Sequence, residues 1–233
     1  MRGNENIRFC MIKNGNVTIY DNEAVEPLDD AHSIIQQKDG YRFGADAVEL
    51  SKFACGFIKQ GAAVFDLCSG CGIVGILVEI EKQAAVFGAE IDGIACDMSN
   101  RSVALNGLNA KFFNVDIRDR EALADVKGNT RFDAVTVNPP FYKKGSKPSK
   151  VAPRASSELT VTFSDIAATA KSLLKPRGEF FVVHTAARLD EVLCVCRENK
   201  LTPKDLIVNK NGKTFLLRCV LGGGDGLKVS VRG

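Results

Sequence analysis

Ala62-Ala63-Val64-Phe65-Asp66-Leu67-Cys68-Ser69-Gly70-Cys71-Gly72 opens as an apolar run and closes, past Asp66, in a turn of five small residues. A short apolar run ending in such a turn reads as a buried strand, and residues 73–81 continue with helical periodicity. The same alternation extends downstream. Residues 84–90 read as a strand, 93–106 as a helix closed by Asn106-Gly107, 111–115 as a strand ending at Asp116, and 132–137 as a strand ending at Asn138. A helix over 163–174 stopped by Pro176, a strand over 179–184 and a helix over 187–199 follow. Strands over 205–209 and 214–220 flank Asn211-Gly212, a hairpin signal. Upstream, a helix runs from residue 45 to about residue 59 with Asp46 in its first turn, and residues 7–20 alternate around Asn14-Gly15 as a small hairpin. Alternating strands and helices predict a mostly parallel sheet covered on both faces, here seven-stranded, with an antiparallel C-terminal strand. The expected division is an N-terminal hairpin extension over 1–27 and one α/β domain over 28–233.

Composition sets the limits around that fold. The 233 residues are 45% apolar and 25% charged, enough for a full core in one sizeable domain. A net charge of +3 permits a nucleic-acid partner without demanding one. The eight cysteines lie mostly in apolar runs, and only His32 and His184 could add imidazoles. That supply is poor for a zinc site, and buried free thiols in a reducing cytoplasm are the expectation. No metal is expected. Residues 1–10 carry no apolar core of a leader type, and no apolar run approaches the about 20 residues of a membrane span.

The chemistry-bearing residues fall at the ends of the predicted strands, where an open α/β sheet binds its ligands. Small residues after Asp66 let backbone approach a ligand, and the next helix offers free N–H groups. Glu90, 18 residues past Gly72, is placed to hold both hydroxyls of a ribose. Asp116, or a backbone amide beside it, is placed to reach an adenine amino group. The spacing Gly70-x-Gly72-x-x-Gly75 formally satisfies a dinucleotide fingerprint, so the glycines alone do not decide the cofactor.

Asn138-Pro139-Pro140-Phe141 is the deciding feature. The lone pair of an aromatic amine is delocalised, which makes it a poor nucleophile. The Asn138 side-chain oxygen and the Pro139 carbonyl can accept its two hydrogens and aim the lone pair at a sulfonium methyl. Consecutive prolines hold that carbonyl rigidly and bring no competing N–H. Phe141 supplies a flat face for a splayed-out base. The basic loop that follows carries Lys143, Lys144, Lys147, Lys150 and Arg154 with no acid, and would contact RNA phosphates beside the target base.

With these motifs in place, the sequence resembles the Rossmann-like class I methyltransferases that use S-adenosylmethionine. Within them it is most similar to the bacterial tRNA1(Val) adenine-N6 methyltransferases, which act on the adenine beside the anticodon. Leu28-Asp29-Asp30, residues 40–48 (Gly-Tyr-Arg-Phe-Gly-Ala-Asp-Ala-Val), the turn 66–72, Asn138-Pro139-Pro140-Phe141 with Lys143-Lys144-Gly145, and Gly226-Leu227-Lys228-Val229 carry the resemblance. It implies that Arg42 and Phe43 lie near the methionine end of the cofactor and Asp46 near the base of that pocket. Asp66, Ser69, Gly70 and Gly72 would frame the methionine, Glu90 the ribose and Asp116 the adenine. Asn138 would border both cofactor and target, with Pro139 and Phe141 completing the base pocket. Cys68 stands where the family usually has glycine, Phe141 where tyrosine is commoner, and Ala155-Ser156-Ser157-Glu158 replaces an Ala-Arg-His-Glu-like run.

The implied activity is therefore adenine-N6 methylation of RNA, a tRNA near its anticodon, in the cytoplasm. Alternatives within enzymes are a guanine N2 in ribosomal RNA, a DNA adenine or a protein glutamine. A non-catalytic RNA-docking scaffold and a dehydrogenase are the readings from other classes. Cofactor titration separates them, since S-adenosylmethionine but not NAD should raise the melting temperature.

Overall fold

The computed structural model describes residues 8–12, 15–39, 42–140 and 161–231. Its centre is the predicted strand β5 (Ala63–Leu67), whose last four residues are buried. Counting along the chain, β5 pairs in parallel with β6 (Ala85–Glu90) on one side and with β8 (Phe132–Val137) on the other. β7 (Lys111–Asn114) extends the sheet beyond β6, and β9 (Leu174–Thr185) beyond β8, both in parallel. β11 (Thr214–Leu221) then runs antiparallel to β9, and β10 (Leu201–Val208) antiparallel to β11. The tail adds β12 (Lys228–Val231), parallel to β10, so the sheet has eight strands rather than seven. β12 is short and exposed, with only four residues and no apolar run to announce it.

The order β12-β10-β11-β9-β8-β5-β6-β7 reverses direction at β5, which opens a crevice between the carboxyl ends of β5 and its neighbours. Helices cover both faces. α1 (Ala45–Cys55), α2 (Ile73–Lys82) and α3 (Gly93–Asn106) pack Leu50, Phe53, Ile76 and Val103 against Val64, Val86 and Phe181. α4 (Arg120–Lys127), α5 (Phe163–Leu173) and α6 (Leu189–Glu198) pack Leu123, Ile166, Leu173 and Val192 against Phe65, Val135 and Phe180. Each of these large apolar side chains contributes about 1.5–3 kcal/mol by burial. None of the described helices is long and apolar enough to cross a membrane.

Local chemistry sets the ends. Asp92 caps α3 by accepting from the Ile94 and Ala95 amides, and Gly107 ends it at φ 65°. Asp119 caps α4, a helix the periodicity reading passes over because it is only eight residues long. Thr162 and Asp165 form a reciprocal capping box on α5. Pro176 does not mark the helix end. α5 stops at Leu173, and β9 has already begun at Leu174. The β8–β9 register then shifts between Phe132 and Ala134, and Pro176 sits in that irregularity with Arg177 at φ 65°.

The N-terminal region holds two ribbons. β1 (Arg8–Ile12) and β2 (Gly15–Ile19) form the expected hairpin, while β3 (Glu23–Pro27) and β4 (Ser33–Gln37) form a second one that straddles residue 27. Both lie on α3. Asn106 accepts from the Ser33 amide (2.8 Å) and donates to the Ser33 carbonyl (2.7 Å), and Ser102 Oγ accepts from the Ile35 amide (2.9 Å). Arg101 donates to both oxygens of the buried Glu23 carboxylate and to the Thr18 carbonyl. Val17, Ile19 and Ile35 close on Met98. These bonds fix β4, and β4 leads into one wall of the crevice.

Candidate active site

A cavity of about 520 Å³ opens at the carboxyl ends of β5, β6 and β8, within the range of small-ligand and cofactor pockets. Gln37 at the end of β4 and Phe43 before α1 close it from the N-terminal side.

The turn after β5 forms its floor. Cys68, Gly70 and Gly72 all adopt left-handed backbone, with φ of 53°, 55° and 83°. Cys68 is not a glycine, and a non-glycine residue in this conformation stores strain of roughly 1–3 kcal/mol. The Gly70 amide donates to Glu90 Oε2 (2.8 Å), and the Ser69 amide donates to the Ala89 carbonyl (3.1 Å). The three glycines of the fingerprint-like spacing do different things. A Cβ on Gly70 would meet nothing within 4 Å, so this residue faces open space in the cavity wall. A Cβ on Gly72 would fall 2.7 Å from Ser99 Cβ and 2.9 Å from Phe112 Cζ. On Gly75 it would fall 2.9 Å from Val86 Cγ1 and 3.1 Å from Phe112 Cζ. Gly72 and Gly75 therefore make room for Phe112, which Asn100 holds by bonding both its amide and its carbonyl. The spacing at Gly72 and Gly75 thus has a packing origin.

Asp66 is buried, accepting from Thr136 Oγ1 (2.7 Å) and the Gly75 amide (3.2 Å). Burial pushes its pKa up to about 7, against the lowering effect of those two donors. Because the folded value lies above the unfolded 3.8, the folded chain keeps a proton that the unfolded chain loses between pH 4 and 7. This group's contribution to stability is thus full below about pH 4 and is lost as pH rises through 7. Melting temperatures of the cofactor-free protein should fall from pH 5 to about 7.5, and Asp66→Asn should flatten that fall. An identical slope in the variant would contradict the assignment.

Glu90 accepts from the Gly70 and Asp92 amides (2.8 and 2.9 Å), and burial raises its pKa as well. Asp116 differs. Its carboxylate is engaged by Arg118, whose Nε lies 3.0 and 3.1 Å from the two oxygens, and this hydrogen bonding holds the Asp116 pKa down. Burial raises the thiols of Cys68 and Cys71, the latter to about 12, so both are neutral and poorly nucleophilic.

Asn138 and Pro139, immediately after β8, line the same cavity. The register pairs Val137 with Leu67, which sets Asn138 beside the turn. Asn138 is half-buried and its side chain makes no hydrogen bond among the described residues. Phe141, Lys143, Lys144, Lys147, Lys150 and Arg154 lie outside the described residues, as do Gly40 and Tyr41.

Phe43, Asp66, Ser69, Gly70, Glu90, Asp116, Asn138 and Pro139 are thus brought together. Three expected cofactor residues do not line the cavity. Arg42 forms an ion pair with Glu26. Asp46 accepts from Thr214 Oγ1 (3.3 Å) on β11. Gly72 supports Phe112 as above. The lining also includes residues the sequence reading missed: Gln37, Cys71, Ile91, Ile94, Met98 and Ile117. Ile91 and Ile94 had a signal, being large apolar residues beside a strand-end acid. They remain 50% and 57% exposed, as apolar surface awaiting a flat ligand would be.

The donor set suits a cation. Among the described lining residues are four carboxylates, Asp66, Glu90, Asp92 and Asp116, and no Lys, Arg or His. A sulfonium-bearing nucleoside fits this wall, in which Glu90 and Asp92 face no lining cation, while Asp66 holds its proton up to about pH 7 and Asp116 is paired with Arg118. Ser69 Oγ is buried in this wall without a hydrogen-bond partner among the described residues, a hydroxyl that a ligand could satisfy. No group of three His, Cys, Asp or Glu side chains with metal-site geometry occurs among the described residues.

Fold and cavity together define the class I S-adenosylmethionine-dependent methyltransferases. A ribosomal protein L11 methylase from Lactobacillus delbrueckii subsp. bulgaricus shares the fold, with a TM-score of 0.59 at 16% identity over 84% of this chain and 97% of that one. The family model for the methyltransferase small domain matches residues 50–193, and the chain belongs to that family. Among curated relatives, a tRNA1(Val) (adenine(37)-N6)-methyltransferase of Porphyromonas gingivalis is 30% identical over 159 residues, 65% of this chain and 61% of the relative's length. The match thus spans about three-fifths of that relative. A protein of the same name from Shewanella loihica is 24% identical over 178 residues, covering 75% of this chain and 70% of that protein.

Proposed function

We propose that this chain methylates N6 of an adenine in RNA, in a tRNA next to its anticodon, with S-adenosylmethionine as donor. One observation carries the reading: Asn138 and Pro139 line the same cavity as Glu90 and the 66–70 turn. When bound, the cofactor supplies an electrophilic methyl group on a sulfonium. Glu90 would hold the ribose hydroxyls, and Ile91 and Ile94 would cover the adenine. Ser69 Oγ and the backbone at Gly70 would meet the methionine end.

The Asn138 side-chain oxygen and the Pro139 carbonyl accept the two hydrogens of the target amine. Held in that grip, the nitrogen gives up conjugation with its ring and its lone pair becomes available. Transfer there would form an N–C bond as the donor's S–C bond breaks, and the nitrogen would then release one proton to solvent. No side chain has to act as a nucleophile, which agrees with neutral Cys68 and Cys71. The acidic wall stabilises positive charge before transfer, so it favours the charged donor over its neutral product. Two relatives named for adenine-N6 methylation of tRNA support the choice of base and RNA. That substrate implies action in the cytoplasm.

The test is to incubate the protein with methyl-labelled cofactor and total RNA from a strain lacking its gene, then digest the RNA and analyse nucleosides by mass spectrometry. The expected label is in N6-methyladenosine from a tRNA. Label in N2-methylguanosine would overturn the choice of base. Absence of label from RNA, with label in a protein glutamine or a DNA adenine when total protein or genomic DNA from the same strain replaces the RNA, would overturn the choice of substrate.

A further inference from the structure

We infer that the β10–β11 tip, through Lys210 and Lys213, is a second RNA contact that grips backbone phosphates of the strand whose base enters the cavity. The inference rests on the proposed RNA substrate and adds a surface to it.

The topology puts this tip at the reaction edge. β9 runs parallel to β8, with Val137 opposite Val182, so both strands end at the edge that carries Asn138. β11 is antiparallel to β9, with Thr214 opposite Thr185, so residues 209–213 stand beyond that same edge. β11 lies two inter-strand spacings from β8, about 10 Å at 4.7–4.9 Å per spacing. A single strand rising about 3.4 Å per nucleotide covers that span in roughly three nucleotides.

Charge and order favour a polyanion there. Residues 209–213 are Asn-Lys-Asn-Gly-Lys, with no acid, and residues 210–213 are all exposed. Neither lysine forms an ion pair among the described residues, in contrast to Arg42, Arg118 and Arg218. Two acids on α1 are engaged by residues flanking the tip: Glu49 accepts from Asn209 Nδ2 (2.8 Å), and Asp46 accepts from Thr214 Oγ1.

The backbone beneath the lysines is held by many bonds. The Gly212 amide donates to the Asn209 carbonyl (2.7 Å), and the Lys213 amide to Asn211 Oδ1 (2.9 Å). The Lys213 carbonyl accepts from the Ala186 amide (2.8 Å) and from Thr185 Oγ1 (3.3 Å). The tip is therefore zipped to the end of β9, so its backbone needs little further ordering to present the two lysines. Asp46, assigned from the sequence to the cofactor, serves here to tie α1 to this tip.

The experiment compares the unsubstituted protein with a Lys210→Ala/Lys213→Ala double variant on unfractionated tRNA, in salt from about 50 to 200 mM. A Lys59→Ala/Lys111→Ala double variant, at the opposite edge of the sheet, is the control. Loss of two phosphate contacts should raise KM for tRNA about tenfold. It should also flatten the log–log salt dependence of kcat/KM by about 1.4, at roughly 0.7 per single-strand contact. The kcat at saturating tRNA and the cofactor Kd should stay unchanged, and the control should match the unsubstituted protein. A double variant that methylates tRNA with unaltered KM and salt slope would overturn this inference alone. An unsubstituted protein that binds cofactor yet methylates no tRNA would overturn the functional reading and this inference with it.

Discussion

Replacing Asn138 by alanine should reduce turnover by about 10²–10³-fold while leaving the affinity for S-adenosylmethionine unchanged. That is the usual cost of deleting one preorganised hydrogen-bonding group that acts mainly in the transition state. The side chain lines the cavity at the end of β8 and makes no hydrogen bond among the described residues, so its removal breaks none of their hydrogen bonds. Folding should therefore be spared, and the loss should appear in kcat rather than in cofactor binding. Single-turnover methylation with saturating cofactor, read beside calorimetric cofactor titration, checks both halves. Turnover at the unsubstituted rate would refute the amine-gripping role.

Glu90→Ala should give the opposite pattern. Two hydrogen bonds to a charged acceptor, at about 1.5–3 kcal/mol each, correspond to a cofactor Kd raised about 10²-fold or more. At saturating cofactor, kcat should recover most of its value, because Glu90 does not touch the reacting amine. Glu90 also accepts from the Gly70 and Asp92 amides, so the alanine variant should loosen the turn and lower the melting temperature of the cofactor-free protein. Glu90→Gln keeps an amide oxygen as acceptor and should retain more of both properties. An alanine variant with native cofactor affinity would remove Glu90 from the site. Together the two variants separate donor binding from amine activation.

These residues were readable from sequence because each follows directly from a strand end. An apolar run that stops at Asp66, Glu90, Asp116 or Asn138 fixes both the strand and the edge it ends on, and parallel order then gathers the ends into one crevice. Contacts between residues distant in sequence were not readable. Gln37 reaches the cavity only because Ser102 and Asn106, 67 and 73 residues away along the chain, bond the backbone of β4. Neither serine nor asparagine on a helix announces that partner. Gly72 reads as a ligand glycine, yet its missing Cβ makes space for Ser99 and Phe112, a ring nearly 40 residues on that no local pattern connects to it. Asp116 shows another limit. Its place at the end of β7 was legible, but its pairing with Arg118, two residues later, depends on the turn that follows. Arg42 and Asp46 come from resemblance alone, and their contacts with Glu26 and Thr214 are long-range ones that no local pattern announces. β12 escaped because four exposed residues on a sheet edge need no hydrophobic pattern.

The central claim is geometric, and a crystal structure of the protein with a non-reactive cofactor analogue and an adenine-containing anticodon-loop oligonucleotide tests it most directly. The expected result places the target amino group within hydrogen-bond distance, about 2.7–3.2 Å, of both Asn138 Oδ1 and the Pro139 carbonyl, on the side facing the donor. An adenine bound elsewhere on the protein, or Asn138 turned away from the analogue in that complex, would contradict it.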